Sequence, residues 1–231
     1  MFAHEKHKRK SFGVTVITKP IVVIDGLNYF TRSFMINEAV TAGGDLVGGV
    51  VGFVRGLGNI ISQLRPDSVF VIWEQGGPSA RRKHIYSEYK ANRATNKGLQ
   101  EMYRNDGKFN AASNTKNKIF QLQLLSKALG HLPVCQIYVQ DTEADDIIAV
   151  LTEYCQDNEL TQVGLAEEPQ KVLIVSSDKD FKQLQLAPFS SGNVRQWSPM
   201  QKKYIQASKQ EIMEFTIEHI VKGDTGDGIP N

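Results

Sequence analysis

Apolar and polar positions divide the chain into short apolar runs and longer stretches of helical periodicity. Residues 14–24 read as a strand region ending in the run IVVI. VFVIW (69–73), VCQIYV (134–139) and VLIVSS (172–177) read as three further strands. Leu46, Val50, Phe53, Val54, Leu57, Ile60, Ile61 and Leu64 recur at helical spacing and predict a helix over 45–64. Glycines between Gly43 and Gly58 lower its propensity but permit close packing. Further helices are predicted over 115–129 and over EADDIIAVLTEYC (143–155), and another begins in DKDFKQLQL. NVRQW and KKYIQ, split by Ser198-Pro199-Met200, predict a β-hairpin. Ser208 followed by Glu211 predicts a capping box and a last helix to about Val221. Short strands alternating with helices argue for one α/β domain over 14–231, with a mainly parallel sheet flanked by helices.

Two segments fall outside this pattern. Residues 1–13 read as a flexible basic tail without the apolar core of a secretory signal. Residues 76–114 are polar and basic with little periodicity, and read as a mobile or partly helical insertion. The net charge is only +2, yet residues 78–118 hold ten Lys/Arg against three acids, so that stretch is +7 and the remainder is −5. A basic insertion within an acidic protein suggests a polyanion-binding element set against an acidic site. Tyr86, Tyr89 and Tyr103 are interleaved with the basic residues, which favours nucleic acid. No apolar run is long enough for a transmembrane helix. Cys135 and Cys155 form no CxxC motif and read as buried thiols in a reducing compartment.

The acids carry the chemistry. IVVI leads to Asp25, VFVIW to Glu74, and VLIVSS to Asp178 and Asp180, while VCQIYV runs on to Glu143, Asp145 and Asp146. In a parallel sheet, these positions converge on one edge. Asp224 and Asp227, in a glycine-rich loop after the last helix, can close over the same edge. A single Asp after a strand is ordinarily a helix cap or turn residue, but caps do not explain acids at four strand ends. Crowded carboxylates need a counter-charge, and hard divalent cations such as Mg²⁺ or Mn²⁺ supply it through oxygen ligands. Two such ions roughly 4 Å apart can activate water and stabilise the leaving oxygen of a phosphodiester. There is no GxxxxGK[ST], GxGxxG after a strand, GxSxG or HExxH, and the five histidines form no evident triad or zinc set; they read as tail, surface or core residues.

VVIDG, YSEYKANR, TEADDIIAVL, IVSSDKDFKQL and VKGDTGDGIPN, in that order, resemble the 5′ nuclease (flap endonuclease-like) superfamily. VRQWSPMQKKY is similar to the bacteriophage ribonuclease H type of 5′→3′ exonuclease within it. The resemblance implies a PIN-like fold and a phosphodiester hydrolase with 5′→3′ exonuclease, structure-specific endonuclease and ribonuclease H activity. It implies two Mg²⁺ ions, with Mn²⁺ as a substitute. A first metal group would comprise Asp25, Glu74, Glu143 and Asp145, and a second Asp146, Asp178, Asp180, Asp224 and Asp227. Residues 76–114 would form an arch over the active site. Arg82, Tyr89, Lys90 and Arg93 would bind nucleic acid there, with Tyr89 stacking on a base and Lys90 and Arg93 contacting the scissile phosphate. Glu74 stands where the family usually has Asp, and its extra methylene is expected to shift the metal or admit a water. Relatives continue into helices that hold duplex DNA, so an end at Asn231 reads either as a truncation or as a naturally short chain.

The expected substrate is DNA or an RNA–DNA hybrid with a 5′ end or flap, met during replication alongside replication proteins. The expected protein is a monomer in the cytoplasm, that of the host if phage-encoded. A PIN-type single-strand ribonuclease and an inactive structure-specific binding protein are the alternatives.

Overall fold

The computed structural model describes residues 19–74, 80–91, 111–156, 170–186, 192–224 and 227–229. The tail at 1–13, Arg93 and most of 76–114 lie outside the described residues. Six strands form one sheet in the order β3-β2-β1-β4-β5-β6. They are β1 (Ile21–Asp25), β2 (Ser68–Ile72), β3 (Cys135–Ile137), β4 (Val172–Val175), β5 (Val194–Ser198) and β6 (Lys203–Ile205). Every neighbouring pair is parallel except the β5–β6 hairpin. The expected mainly parallel α/β architecture is therefore present.

The strands are continuous apolar runs because both faces of the sheet are covered. Val22, Ile24, Val69, Val71, Leu173 and Val175 pack on one face against Phe30, Phe53, Leu57, Leu125 and Leu129. Those five side chains come from helices α1 (Gly26–Ile36), α2 (Gly48–Leu64) and α4 (Ala111–Leu129). Val23, Ile72, Val172 and Ile174 pack on the opposite face against Ile147 and Ile148 of α5 (Ala144–Gln156) and against Phe181 and Leu184. The short α3 (Ala80–Ile85) lies in the basic insertion, and α6 (Lys209–Lys222) follows the hairpin. At its start Ser208 Oγ accepts from the Glu211 amide at 3.2 Å, and Glu211 Oε2 accepts from the Ser208 amide, completing the expected capping box. Among the described residues no helix is long and apolar enough to cross a membrane.

Three local features differ from the sequence expectation. Helix α1 is an element the sequence reading does not mark, and its fully buried residues are Gly26, Phe30 and Ser33, two of them small. The stretch after VLIVSS is a single 3-10 helix (Asp180–Gln185) rather than an α-helix; Phe181 and Leu184, three apart, eclipse on its buried side. Cys155 is buried as expected but Cys135 is exposed, since β3 is a three-residue strand at the sheet edge.

Helix α2 begins against a wall. A methyl group on Gly48 would lie 1.8 Å from the Asn37 carbonyl oxygen, which only hydrogen at Cα allows. One residue on, the Gly49 amide donates to the buried Gln121 Oε1 at 2.7 Å, satisfying a first-turn N–H. Gly48→Ala is expected to cost about 2 to 3 kcal/mol through overpacking, measured by urea denaturation. A change within roughly 0.5 kcal/mol, the range of a neutral surface substitution, would show that the wall yields.

Candidate active site

Register puts the acids together. Ile24 lies beside both Val71 and Val175, and Asp25 lies beside Ile72. The carboxyl ends of β1, β2 and β4 are thus level, and Asp25, Glu74 and Asp178 leave the sheet at one height. Trp73 extends β2, its amide donating to the Ile137 carbonyl at 2.8 Å and its indole Nε1 to Gln136 Oε1 at 3.0 Å. Its ring leaves no room for a side chain at Gly26, where a methyl carbon would lie 2.6 Å from the indole.

Asp25 is the N-cap of α1. Its Oδ1 accepts from the Asn28 amide at 3.1 Å and its Oδ2 from Ser176 Oγ at 3.0 Å, so the cap also fixes the carboxylate. Asp178 turns the chain after β4, its Oδ1 accepting from the Asp180 amide at 3.0 Å. Asp145 lies in the first turn of α5, where the helix dipole favours negative charge. Asp25, Glu74, Asp145, Asp178, Asp180 and Asp227 line one cavity of about 530 Å³. Among the described residues, the cations on its wall are Arg32 and Lys90. A second cavity of about 420 Å³, between α1, α2 and the β5–β6 hairpin, has no carboxylate on its wall among the described residues.

Glu143 and Asp146 are held by the root of the basic insertion. Glu143 is buried, ion-paired with Arg82, and receives Lys90 Nζ at 3.0 Å. Arg82 also donates to Asp146 Oδ1 at 2.8 Å. Tyr89 is buried with its hydroxyl 3.2 Å from Glu143 Oε2 and 3.1 Å from Asp227 Oδ2. Lys90 Nζ lies 5.0 Å from the centre of its ring and the Arg82 guanidinium 5.7 Å. In this arrangement the Tyr89 ring faces cations and is closed to a stacked base. Glu143 and Asp146, expected in the two metal groups, here share Arg82, and neither lines the cavity. Asp224 lies beside Lys179 and His219, its Oδ2 3.7 Å from Lys179 Nζ and 3.8 Å from His219 Nε2. Nothing in the sequence marks His219, because its neighbour Asp180 is distant along the chain and the helix face it occupies is set by packing.

The crowding is electrostatically costly. Burial pushes the Asp25 carboxyl up to about 6, helped by the charges of Asp178 and Glu74 and opposed by the Asn28 and Ser176 hydrogen bonds. Burial, then Asp25 and Asp178, push Asp145 up to about 8. Asp180 is raised by burial and by Asp178. Burial, followed by Asp227 and Glu143, holds the Tyr89 phenol far above its usual range. Asp25 and Asp145 keep their protons where the unfolded chain has lost them. Their stability contribution is full below about pH 4 and is lost as pH rises through about 6 and about 8. Without divalent cations, the chain is expected to melt several degrees lower at about pH 8.5 than at about pH 5.5. Saturating divalent cation should flatten that slope. A metal-free melting temperature that stays level across the window would show that these carboxylates do not crowd one another.

The donors are carboxylate oxygens, the ligands that hard divalent cations take. Asp180 Oδ1 is buried and accepts no hydrogen bond among the described residues. Ligand atoms of Asp180, His219 and Asp224 lie within 4.8 Å of one another. These residues fit a divalent cation.

Residues 20–216 match the family model described as 5'-3' exonuclease, N-terminal resolvase-like domain. The chain belongs to this family. It is similar to a 5'-3' exonuclease of Buchnera aphidicola, at 27% identity over 92% of this chain and 65% of that protein. It is similar to the ribonuclease H of phage T4 at 33% identity over 46% of this chain and 30% of that one. The chain thus spans less than two thirds of the length of each. Among solved structures, the T5 D15 protein co-crystallised with metal ions superposes with a TM-score of 0.59 at 17% identity, covering 92% of this chain and 69% of that one. The 5'-3' exonuclease family match, together with that superposition, makes the sheet and its flanking helices a PIN-like domain. The match ends at Thr216, so His219, Asp224 and Asp227 lie past it.

Proposed function

We propose that the chain is a divalent-metal-dependent 5′→3′ exonuclease and flap endonuclease that hydrolyses phosphodiester bonds at 5′ ends of DNA or RNA–DNA duplexes. The observation that carries this reading is one cavity walled by six carboxylates, with Asp145 pushed up to about 8 by burial and by its neighbours' charge. Such a set is stable in its ionised form only around cations. Bound Mg²⁺, or Mn²⁺ in its place, would activate water and stabilise the leaving oxygen of the phosphodiester.

Asp25, Glu74, Asp145, Asp178 and Asp180 hold the cations, with Asp224 and Asp227 closing the far side. Lys90 and Arg32, on the same wall, draw the phosphate backbone in. Arg82 and Tyr89 bind nucleic acid once released from Glu143 and Asp227, and Arg93 acts with Lys90 at the scissile phosphate. Residues 76–114 serve as the arch, and Glu143 and Asp146 become ligands when Arg82 turns to the substrate. Removal of RNA primers or flaps in replication suits this chemistry; a DNA polymerase I of Pseudomonas aeruginosa is 30% identical over 71% of this chain.

The test is incubation with a 5′-flap duplex and a matching RNA–DNA hybrid, each with Mg²⁺, Mn²⁺ or EDTA. Short 5′ products that require metal support the reading, and the ratio between substrates names the task. Preference for plain single-stranded RNA would point to a PIN-type ribonuclease instead. Binding that survives EDTA without cleavage under any metal would make the chain a binding protein.

A further inference from the structure

We propose that His219 supplies an imidazole nitrogen to a cation held with Asp180 and Asp224, so that this position selects manganese or cobalt over magnesium. The inference rests on the reading of the acid cluster as a metal centre and adds to it a ligand of a different kind.

The tautomer is fixed by two independent contacts. His219 Nδ1 lies 2.9 Å from the Phe215 carbonyl oxygen, which can only accept, so Nδ1 carries the proton. Nε2 lies 3.1 Å from the Lys179 ammonium, which can only donate, so Nε2 bears the lone pair. The same Nε2 lies within reach of the acids, 3.8 Å from Asp224 Oδ2 and 4.0 Å from Asp180 Oδ1. An imidazole that donates one ring N–H to a backbone carbonyl and turns the other nitrogen to carboxylates is oriented as metal-ligating histidines are. The Phe215 ring, 4.0 Å from the imidazole centre, limits its rotation.

The spacing suits one ion. Two donors each about 2.1 Å from a cation stand at most about 4.2 Å apart, and both nitrogen-to-oxygen distances fall inside that limit. Asp180 Oδ1, buried and without a hydrogen-bond donor among the described residues, is the acceptor such an ion would satisfy. The positive charge now nearest is Lys179 Nζ, 3.1 Å from Nε2 and 3.7 Å from Asp224 Oδ2. Its side chain is 55% exposed, so it can swing into solvent when a divalent cation arrives. Imidazole raises affinity for transition metals, whereas magnesium favours oxygen and water, so one nitrogen shifts the preference.

The test uses the full chain with Mn²⁺ as the probe. Pulsed EPR of bound Mn²⁺ is expected to show nitrogen hyperfine coupling that His219→Gln removes. By calorimetry His219→Gln should weaken Mn²⁺ binding about tenfold or more, the scale on which even a ligand's outer partner acts, and Mg²⁺ binding much less. Lys179→Ala, which removes the competing ammonium, should tighten Mn²⁺ binding severalfold; this variant keeps the idea testable if His219→Gln fails to fold. Bound Mn²⁺ without nitrogen coupling, or a Mn²⁺-to-Mg²⁺ preference unchanged in His219→Gln, would overturn the proposal while leaving the nuclease reading intact. No divalent binding at all would overturn both.

Discussion

The Asp178→Asn variant is expected to fold, to melt above the parent in the absence of divalent cations, and to lose cleavage. Asp178 is the common source of repulsion at the site, since its charge helps to raise Asp25, Asp145 and Asp180. An amide keeps the acceptor that holds the Asp180 amide and so preserves the turn after β4. It removes the charge that draws cations in, and several kcal/mol of transition-state stabilisation goes with it. Single-turnover cleavage should fall roughly a thousandfold or more, since each 1.36 kcal/mol is about tenfold in rate. The two halves check each other. A variant that melts lower and is inactive has merely been damaged, whereas near-parental rates with a raised melting temperature would remove Asp178 from the metal site.

Lys90→Ala is the second large effect. Among the described residues, Lys90 is the cation on the cavity wall that belongs to the basic insertion, and its ammonium is already 3.0 Å from the buried Glu143. On the proposed reading, it leaves Glu143 for the scissile phosphate as charge develops there. The loss should resemble that of one preorganised donor, about a hundredfold in the chemical step. Affinity for the 5′-flap duplex should fall far less, because many phosphate contacts share it. Single-turnover rates at saturating chain, set beside binding measured in Ca²⁺, separate the two. An unchanged chemical step with weakened binding would reduce Lys90 to one more backbone contact.

The contrast between what the sequence discloses and what it withholds follows from the range of the forces involved. The strands are legible because a strand buried on both faces has no polar alternation, and IVVI and VLIVSS stand out as unbroken apolar runs. The acids are legible for a related reason: a parallel sheet turns residues distant in sequence, such as Asp25 and Asp178, into neighbours at one edge. Ser208 and Glu211 announce their helix through purely local bonds. Helix α1 is silent, because the Trp73 ring leaves no room at Gly26 and close packing against Gly52 of α2 asks for a small residue at Ser33. The partners of Arg82 are equally hidden, since Glu143 and Asp146 are reached only through the tertiary fold. His219 is hidden for the same reason, its relation to Asp180 existing only once α6 lies beside the 3-10 helix.

The placement of β1 at the middle of the sheet has a consequence for how the protein is made. Asp25 leaves the ribosome early, on a strand whose two neighbours, β2 and β4, are both synthesised later. Asp224 and Asp227 emerge after every strand. On the proposed reading, Asp25, Glu74, Asp145, Asp178 and Asp180 can gather only after β4 and the 3-10 helix have formed, and Asp224 and Asp227 join them last. On the proposed reading, a protease that clipped the chain near Gly223 would remove Asp224 and Asp227 from the metal site while leaving the sheet standing.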